Sequence, residues 1–245
     1  PEAKSAYEFD PKHMLNDQQK SVLKKYATSD KKVALLHGIT GSGKTEIYLH
    51  IADEHLKNGM QVLMLIPEIS LTTQTVQRFE EHFKESMVVI HSQLTPKEKE
   101  KAWMKIHKGE AKIVIGSRSA IFAPFTNLGV IIMDEEHDSS YKQDQAPRYN
   151  TMDVAVKLAN ILDIKVIAGS ATPSLETYYK ALKNEYQLLE LTERAGKLGT
   201  KLPNTHIVDL REELHKKNYS IFSEKMHAEL TNKLETMEQS LLFLN

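Results

Sequence analysis

The chain has 245 residues, with 32 Lys and Arg against 33 Asp and Glu, a formal charge of −1, so no global field draws it to nucleic acid or to a membrane surface. It contains no cysteine, which excludes a disulfide framework and a cysteine-based zinc site within these residues, and no apolar run approaches the ~18 residues of a membrane helix. The length suits one large α/β domain or one domain with part of another, and the polar start Pro1–Asp10 lacks a signal-peptide pattern, so a cytoplasmic location is expected.

In chain order, the apolar run Val33–Leu36 predicts a first strand. A helix follows over Lys44–Lys57, with Tyr48, Ala52 and Leu56 at four-residue spacing. Gln61–Ile66 predicts a strand, Thr73–Lys84 a helix carrying Val76, Phe79 and Phe83, and Met87–Ile90 a strand. Leu94-Thr95-Pro96 opens a helix over Pro96–Lys108, with Thr95 as its N-cap and Pro96 in its first turn. Strands are predicted at Lys112–Gly116, Val130–Asp134 and Lys165–Ala168, and helices at Met152–Leu162 and Ser174–Leu182. Most of these strands lack two-residue alternation, as strands buried on both faces do. The alternation of strand and helix predicts a mostly parallel sheet flanked by helices, joined by right-handed crossovers. The polar tract Thr192–Asn204, with two glycines and a proline, reads as a linker. Beyond it a strand (His206–Asp209), a helix (Ser223–Glu238) and a terminal apolar strand (Ser240–Asn245) are predicted. The expected organisation is therefore one lobe over residues 1–195, then a linker and the start of a second lobe over 196–245. A buried strand makes a poor natural terminus, so the chain is expected to be a piece of a longer protein.

Between the first strand and its helix stands Gly38-Ile39-Thr40-Gly41-Ser42-Gly43-Lys44-Thr45, the phosphate-binding pattern G-x-x-x-x-G-K-[ST]. A polyphosphate needs many N–H donors at close range. Gly38, Gly41 and Gly43 let the backbone approach without a Cβ in the way, and the helix that follows aims its free N–H groups at the same anion. Thr40 and Ser42 complete the loop, Lys44 supplies a full positive charge, and Thr45 offers a hydroxyl to Mg²⁺. The motif alone does not separate kinases, GTPases, transport ATPases and helicases.

"VIIMDEEHDSS", Val130–Ser140, is an apolar strand that ends in acids. Asp134 stands where a P-loop enzyme places its second Mg²⁺ support, and Glu135 is placed to activate a water. His137 has no use in a nucleotide kinase. With "GSATPS", Gly169–Ser174, it makes a constellation.

Asp134-Glu135-Glu136-His137 and Gly169-Ser170-Ala171-Thr172-Pro173 resemble motifs II and III of the superfamily 2 helicases of the Asp-Glu-x-His kind. Three further strings, "PEISLTTQ" (Pro67–Gln74), "GSRSAIFAPF" (Gly116–Phe125) and "DEEHDSSYKQ" (Asp134–Gln143), are similar to the primosomal replication-restart helicases, over about Leu15–Asn245. The resemblance implies a RecA-like P-loop NTPase lobe using ATP and Mg²⁺. Lys44 and Thr45 would then hold phosphate and metal, Asp134 the metal, and Glu135 would be the general base. His137 would couple nucleotide state to strand movement, with Ser170 and Thr172 in the same relay. Within "LNDQQ" (Leu15–Gln19), Gln19 is the candidate adenine reader. Thr72, Gln74, Arg118 and Ser119 occupy strings that touch the DNA backbone in that superfamily, where contacts position without reading sequence. The polar loop Ser139–Asn150 brings Tyr141, Lys142, Arg148 and Tyr149, aromatic faces and cations suited to single strands. In the resembled family a loop here reports DNA binding to the ATP site. Its frequent His-x-Arg-Asp continuation is replaced by Asn150-Thr151-Met152-Asp153.

The expected activity is that of the first motor lobe of an ATP-dependent 3′→5′ DNA helicase of bacterial replication restart. Its direction and setting come from the resemblance alone. Single-stranded or forked DNA, other primosome proteins and single-strand-binding protein are the expected partners. A zinc-binding insertion and a second lobe are expected only in parts of the parent outside this chain. That lobe supplies an arginine worth roughly 10³–10⁵ in rate in related enzymes, so these residues alone are expected to bind nucleotide but turn it over very slowly. Two alternatives share the motifs: a double-strand DNA translocase subunit and a nucleotide-gated binding module. A small-molecule kinase would need an arginine-rich lid, which the sequence lacks.

Overall fold

A computed structural model of the chain describes residues 14–68, 74–83, 86–195 and 204–243. The chain divides into two compact units, Pro1–Lys197 and Leu198–Asn245.

In the first unit, α1 (Asp17–Thr28) precedes β1 (Val33–Gly38) and α2 (Lys44–Lys57). The alternation continues with β2 (Gln61–Leu65), α3 (Gln74–Phe83), β3 (Met87–Ile90), α4 (Pro96–His107), β4 (Ile113–Gly116) and β5 (Leu128–Asp134). A two-strand hairpin, β6 (Lys142–Gln143) and β7 (Tyr149–Asn150), leads to α5 (Thr151–Leu162), β8 (Lys165–Ser170), α6 (Leu175–Leu182) and β9 (Gln187–Leu191). Seven strands pair in the order β3-β4-β2-β5-β8-β1-β9, and every pairing between them is parallel.

The two faces of this sheet explain why the strands read as unbroken apolar runs. Ala34, Leu36, Val62, Met64, Val130, Ile132 and Ile167 face one core, with Val22 and Tyr26 of α1, Ile47 and Ile51 of α2, and Phe79 and Phe83 of α3. The alternate residues Val33, Leu35, Leu63, Leu65, Ile131, Met133 and Val166 face the other, with Ile106 of α4, Ala155 and Ala159 of α5, and Ala181 of α6. Each large side chain taken from water in this way contributes about 1.5–3 kcal/mol. The expected α/β class, a parallel sheet between helices, is the observed one. The start of α4 is also as read: Thr95 accepts from the Glu98 N–H while the Glu98 carboxylate accepts from the Thr95 N–H, with Pro96 in the first turn.

Among the elements that escaped the sequence reading are α1 and β9. α1 is fastened at its start by a capping box between Asn16 and Gln19. β9 lies at the sheet edge beside β1, and its mixed pattern, with Gln187 half-buried and Glu190 exposed, hides an edge strand. Two predicted strands are corrected. His206–Asp209 forms no strand: Ile207 is 96% exposed, and Asp209 instead caps α7 (Leu210–His215), accepting from the Arg211 N–H at 2.9 Å. A short acceptor ahead of Leu210-Arg211-Glu212-Glu213 is worth more as an N-cap than as a ladder residue. Ser240–Phe243 likewise forms no strand, and Leu244 and Asn245 lie outside the described residues. The second unit also holds α8 (Glu224–Glu235), capped by Ser223. There the Glu213 carboxylate accepts from the Glu224 N–H and the Asn218 amide, both at 2.8 Å, which hold it below the usual carboxylate range.

Candidate active site

In a wholly parallel sheet all strand C-termini open on one edge, where ligands of open α/β sheets gather. The register sets three of them side by side. Asp134 at the end of β5 is opposite Gly169 of β8, and Ser170 of β8 is opposite His37 of β1, one residue before the phosphate loop.

The loop from Gly38 to Thr45 is shaped by its glycines. Gly41 (φ 79°) and Gly43 (φ 84°) take the left-handed conformation that L side chains resist. A Cβ on Gly43 would also overlap the Gln19 amide, and one on Gly38 would stand 2.7 Å from Ser42 Oγ. The Ser42 N–H donates to the Ile39 carbonyl at 3.0 Å. Lys44 Nζ donates to the Gly38 carbonyl at 3.0 Å and stands 4.0 Å from Glu135 Oε1. Ser42 Oγ is buried and finds no hydrogen-bond partner. A glycine-lined cradle, a cation folded over it and an orphaned hydroxyl inside fit a polyphosphate. Thr40 is exposed and Thr45 half-buried in the first turn of α2.

The edge strand adds to this cradle. The Ile39 N–H donates to the Leu191 carbonyl at 3.1 Å, and the Ala195 N–H to the Gly41 carbonyl at 2.8 Å. Residues 192–195 of the tract read as a linker are thus held against the phosphate loop. Arg194 follows with its stem 3.9 Å from where a Gly41 Cβ would stand, a cation the sequence reading passed over. Gln19, the candidate adenine reader, is buried and engaged at both ends of its amide. Its Oε1 accepts from the Asn16 N–H at 3.0 Å and its Nε2 donates to the Ser42 carbonyl at 3.3 Å. In this conformation one bond at each end of the amide supports the loop. Gln18 is engaged with Thr192 and Glu193 in the same way.

The four residues Asp134–His137 point to four different tasks. Tyr48 donates its hydroxyl to Asp134 Oδ1 at 2.9 Å, and Tyr141 donates to the Asp134 carbonyl at 2.8 Å. Burial, then the charge of Glu135, raises the Asp134 carboxyl above its ordinary value. A carboxylate so placed is receptive to a cation. Burial and the same Asp134 keep the Tyr48 phenol protonated far above neutral pH, so it acts as a donor. Glu135 turns the backbone with φ 46°, a left-handed value that costs a non-glycine residue roughly 1–3 kcal/mol. Its carboxylate lies between Lys44 and His137, whose Nδ1 is 3.6 Å from Oε2. Glu136, given no role from sequence, is buried and accepts three bonds: from the Ser174 N–H (2.6 Å), Ser174 Oγ (3.0 Å) and Thr177 Oγ1 (3.0 Å). It thereby fastens this segment to the start of α6. His137 Nδ1 stands 2.7 Å from Ser170 Oγ, which also accepts from the Thr172 N–H at 2.9 Å. Thr172 therefore joins this relay through its backbone, with its side chain exposed.

The residues assigned by resemblance to a DNA surface divide. Thr72 lies outside the described residues, and Gln74 opens α3. Ser119, Lys142 and Arg148 are exposed. Arg118 is half-buried and donates to the carbonyls of Ser140 (3.0 Å) and Lys142, tying the "GSRS" string to the hairpin. Tyr149 meets Phe122 edge-on at 5.1 Å, and Phe122, unassigned from sequence, is 53% exposed. Tyr141 is corrected: it is 2% exposed within the core, its hydroxyl engaged with Asp134, so its ring is not offered to a base.

With this geometry in hand, comparison with known proteins gives a consistent result. The DEAD/DEAH box helicase family profile matches residues 16–181. Replication restart protein PriA of Bacillus subtilis is 47% identical over 235 residues, covering 94% of this chain and 29% of that protein. The protein of the same name from Haemophilus influenzae is 49% identical over 214 residues, covering 87% of this chain and 28% of its own length. The chain thus spans under a third of these curated relatives. Among solved structures, RecG bound to a three-way DNA junction superposes with a TM-score of 0.56 at 22% identity, over 78% of this chain and 25% of RecG. The helicase MrfA bound to DNA and AMPPNP gives 0.54 at 17% identity, over 74% of this chain and 27% of MrfA. Both establish a shared fold, the expected RecA-like lobe.

Proposed function

The chain belongs to the DEAD/DEAH box helicase family, and on that premise we propose that it is the first motor lobe of an ATP-dependent 3′→5′ DNA helicase of replication restart. The observation that carries the reading is the meeting, at adjoining strand ends, of three things: the glycine cradle with Lys44, the Asp134–Glu135 acids, and the His137–Ser170 pair at 2.7 Å. A kinase has no use for that pair. The restart role is supported by the likeness to replication restart protein PriA at 47% identity.

In this reading the loop N–H groups of Gly41 and Gly43, the partnerless Ser42 hydroxyl and the charge of Lys44 bind the β/γ-phosphates of ATP. Thr45 and Asp134 hold a magnesium ion, which when bound supplies positive charge against the phosphate oxygens. Glu135 accepts the proton of the attacking water. His137, Ser170 and the Thr172 backbone carry the consequence to the neighbouring loops. Arg118, Ser119, Lys142, Arg148 and Tyr149 contact single-stranded DNA, with Phe122 added to the aromatic surface. Thr72 and Gln74 contact its backbone. The lobe works in the bacterial cytoplasm beside single-strand-binding protein and other primosome components. Among the described residues no helix is long and apolar enough to cross a membrane. Residues 196–245 are the linker and the start of a second lobe.

The test is ATP turnover by the protein at its relatives' full length, with and without single-stranded DNA, comparing wild type with Glu135→Gln. DNA-stimulated turnover that the substitution abolishes is expected, followed by unwinding of a forked substrate. Turnover without unwinding would select the double-strand translocase. Turnover indifferent to DNA would overturn the motor reading.

A further inference from the structure

Tyr48 belongs to no string that carries the function, yet it touches the site at its centre. It lies on α2, one turn beyond Thr45, with no exposed surface, although the hydroxyl of a tyrosine is usually what keeps it near water. That hydroxyl reaches Asp134 Oδ1 at 2.9 Å. The space it occupies is reserved by the backbone of β8: any Cβ at Gly169 would collide with the Tyr48 hydroxyl and lie 2.8 Å from its Cζ. Gly169 is not in the left-handed conformation, so no backbone requirement explains it. Room for the phenol does. Gly169 is also the residue that β8 sets opposite Asp134 and β1 sets against Leu36. One hydroxyl therefore stands where the phosphate-loop helix, the acidic strand end and the Gly-Ser-Ala-Thr segment meet.

We propose that Tyr48 is a positioning residue for the metal-binding carboxylate: its hydroxyl fixes Asp134 in one orientation, with Oδ1 occupied, so that the group is already set when the metal–nucleotide arrives. The proposal rests on the reading of Asp134 as a magnesium ligand. Hydrogen-bond partners behind metal ligands hold ligand orientation, and their loss typically costs 10–100-fold in metal affinity. Besides Tyr48, the Glu135 N–H next in the chain donates to the Asp134 carboxylate, so Tyr48 is the side-chain donor that holds it. Tyr141 binds its backbone carbonyl, not its side chain. Lys44 turns to the Gly38 carbonyl. A plain core role for Tyr48 would be served by phenylalanine, which fills the same volume without requiring Gly169 to clear an oxygen.

The experiment is a magnesium titration of binding by a fluorescent ADP analogue, using the full chain and Tyr48→Phe, with the same affinity measured in EDTA. A magnesium midpoint raised roughly 10-fold in Tyr48→Phe, with metal-free affinity unchanged, is expected. An unchanged midpoint would overturn the proposal. So would parallel loss of metal-free and magnesium-dependent binding, because that pattern means the hydroxyl serves packing of the whole loop. A wild-type chain whose nucleotide binding ignores magnesium would instead overturn the assignment of Asp134 itself, and the two failures are thereby distinguished.

Discussion

Around the phosphate loop and the acidic strand end, side chains are held by residues far away in sequence: Gln19 by Ser42, Tyr48 by Asp134, Glu136 by Ser174 and Thr177. Over residues 142–150 local contacts stand beside two longer-range ones. β6 and β7 pair only with each other, and Arg148 bonds the Asp144 carbonyl four residues back. Arg118 and Phe122 tie the segment to a neighbouring string. The first region is fixed before any ligand arrives, as electrostatic chemistry requires. The second keeps the cations Lys142 and Arg148 outward, with the Tyr149 ring half-buried beside Phe122, as suits a flexible strand of varying sequence.

The comparison is broken most sharply at Glu135. Glu135→Gln keeps shape and removes the base, so DNA-stimulated turnover should fall about 10²–10⁴-fold while nucleotide affinity holds. An equal fall in both would place Glu135 in binding. Next, Glu136→Ala strips the acceptor from three donors and should lower unfolding free energy by about 1.5–3 kcal/mol in a urea titration, since bonds to a charged group are the strong ones. A loss under 0.5 kcal/mol, on the order of an exposed substitution, would show that the first region is less rigid than its bonds suggest. On the outward surface the effects should be smaller and salt-dependent. Lys142→Ala should weaken single-strand binding modestly and reduce the slope of log affinity against log salt by about 1, leaving DNA-free turnover intact. The smallest effect is one of pH. Burial lowers the pKa of His55 on α2. The unfolded chain therefore takes up its proton first, and stability present above the ordinary histidine value of about 6.5 should decline as pH falls through it. His55→Gln should flatten that decline in thermal melts between pH 7 and pH 5.

Much of the first region was legible in the sequence, because its requirements are local. Three glycines, a lysine and an apolar strand ending in acids can each be recognised within a few residues. The long-range supports were not. Nothing in the spacing of Glu136 and Ser174, 38 residues apart, announces a bond between them. Tyr48 reads as one more apolar residue at helical spacing. Its only outward signal is the glycine that makes room for it on another strand. Tyr141 misled for the converse reason: in a polar loop an aromatic residue reads as exposed, whereas the 3₁₀ turn Ser139–Tyr141 drives it inward. The strands predicted in the second unit failed because an apolar run becomes a strand only where a neighbour pairs with it. Ile207 and Leu241 have none among the described residues.

Three acids stand in a row at 134, 135 and 136, and a reader of the alphabet alone would call them interchangeable. The left-handed turn at Glu135 makes them otherwise, since it breaks the pleat that would have sent the first and third to the same side. Each then has its own address: Tyr48, the gap between Lys44 and His137, and the start of α6. Deleting any one of them slides the others into the wrong place by one residue. The run has no redundancy, and it tolerates a change of letter better than a change of length.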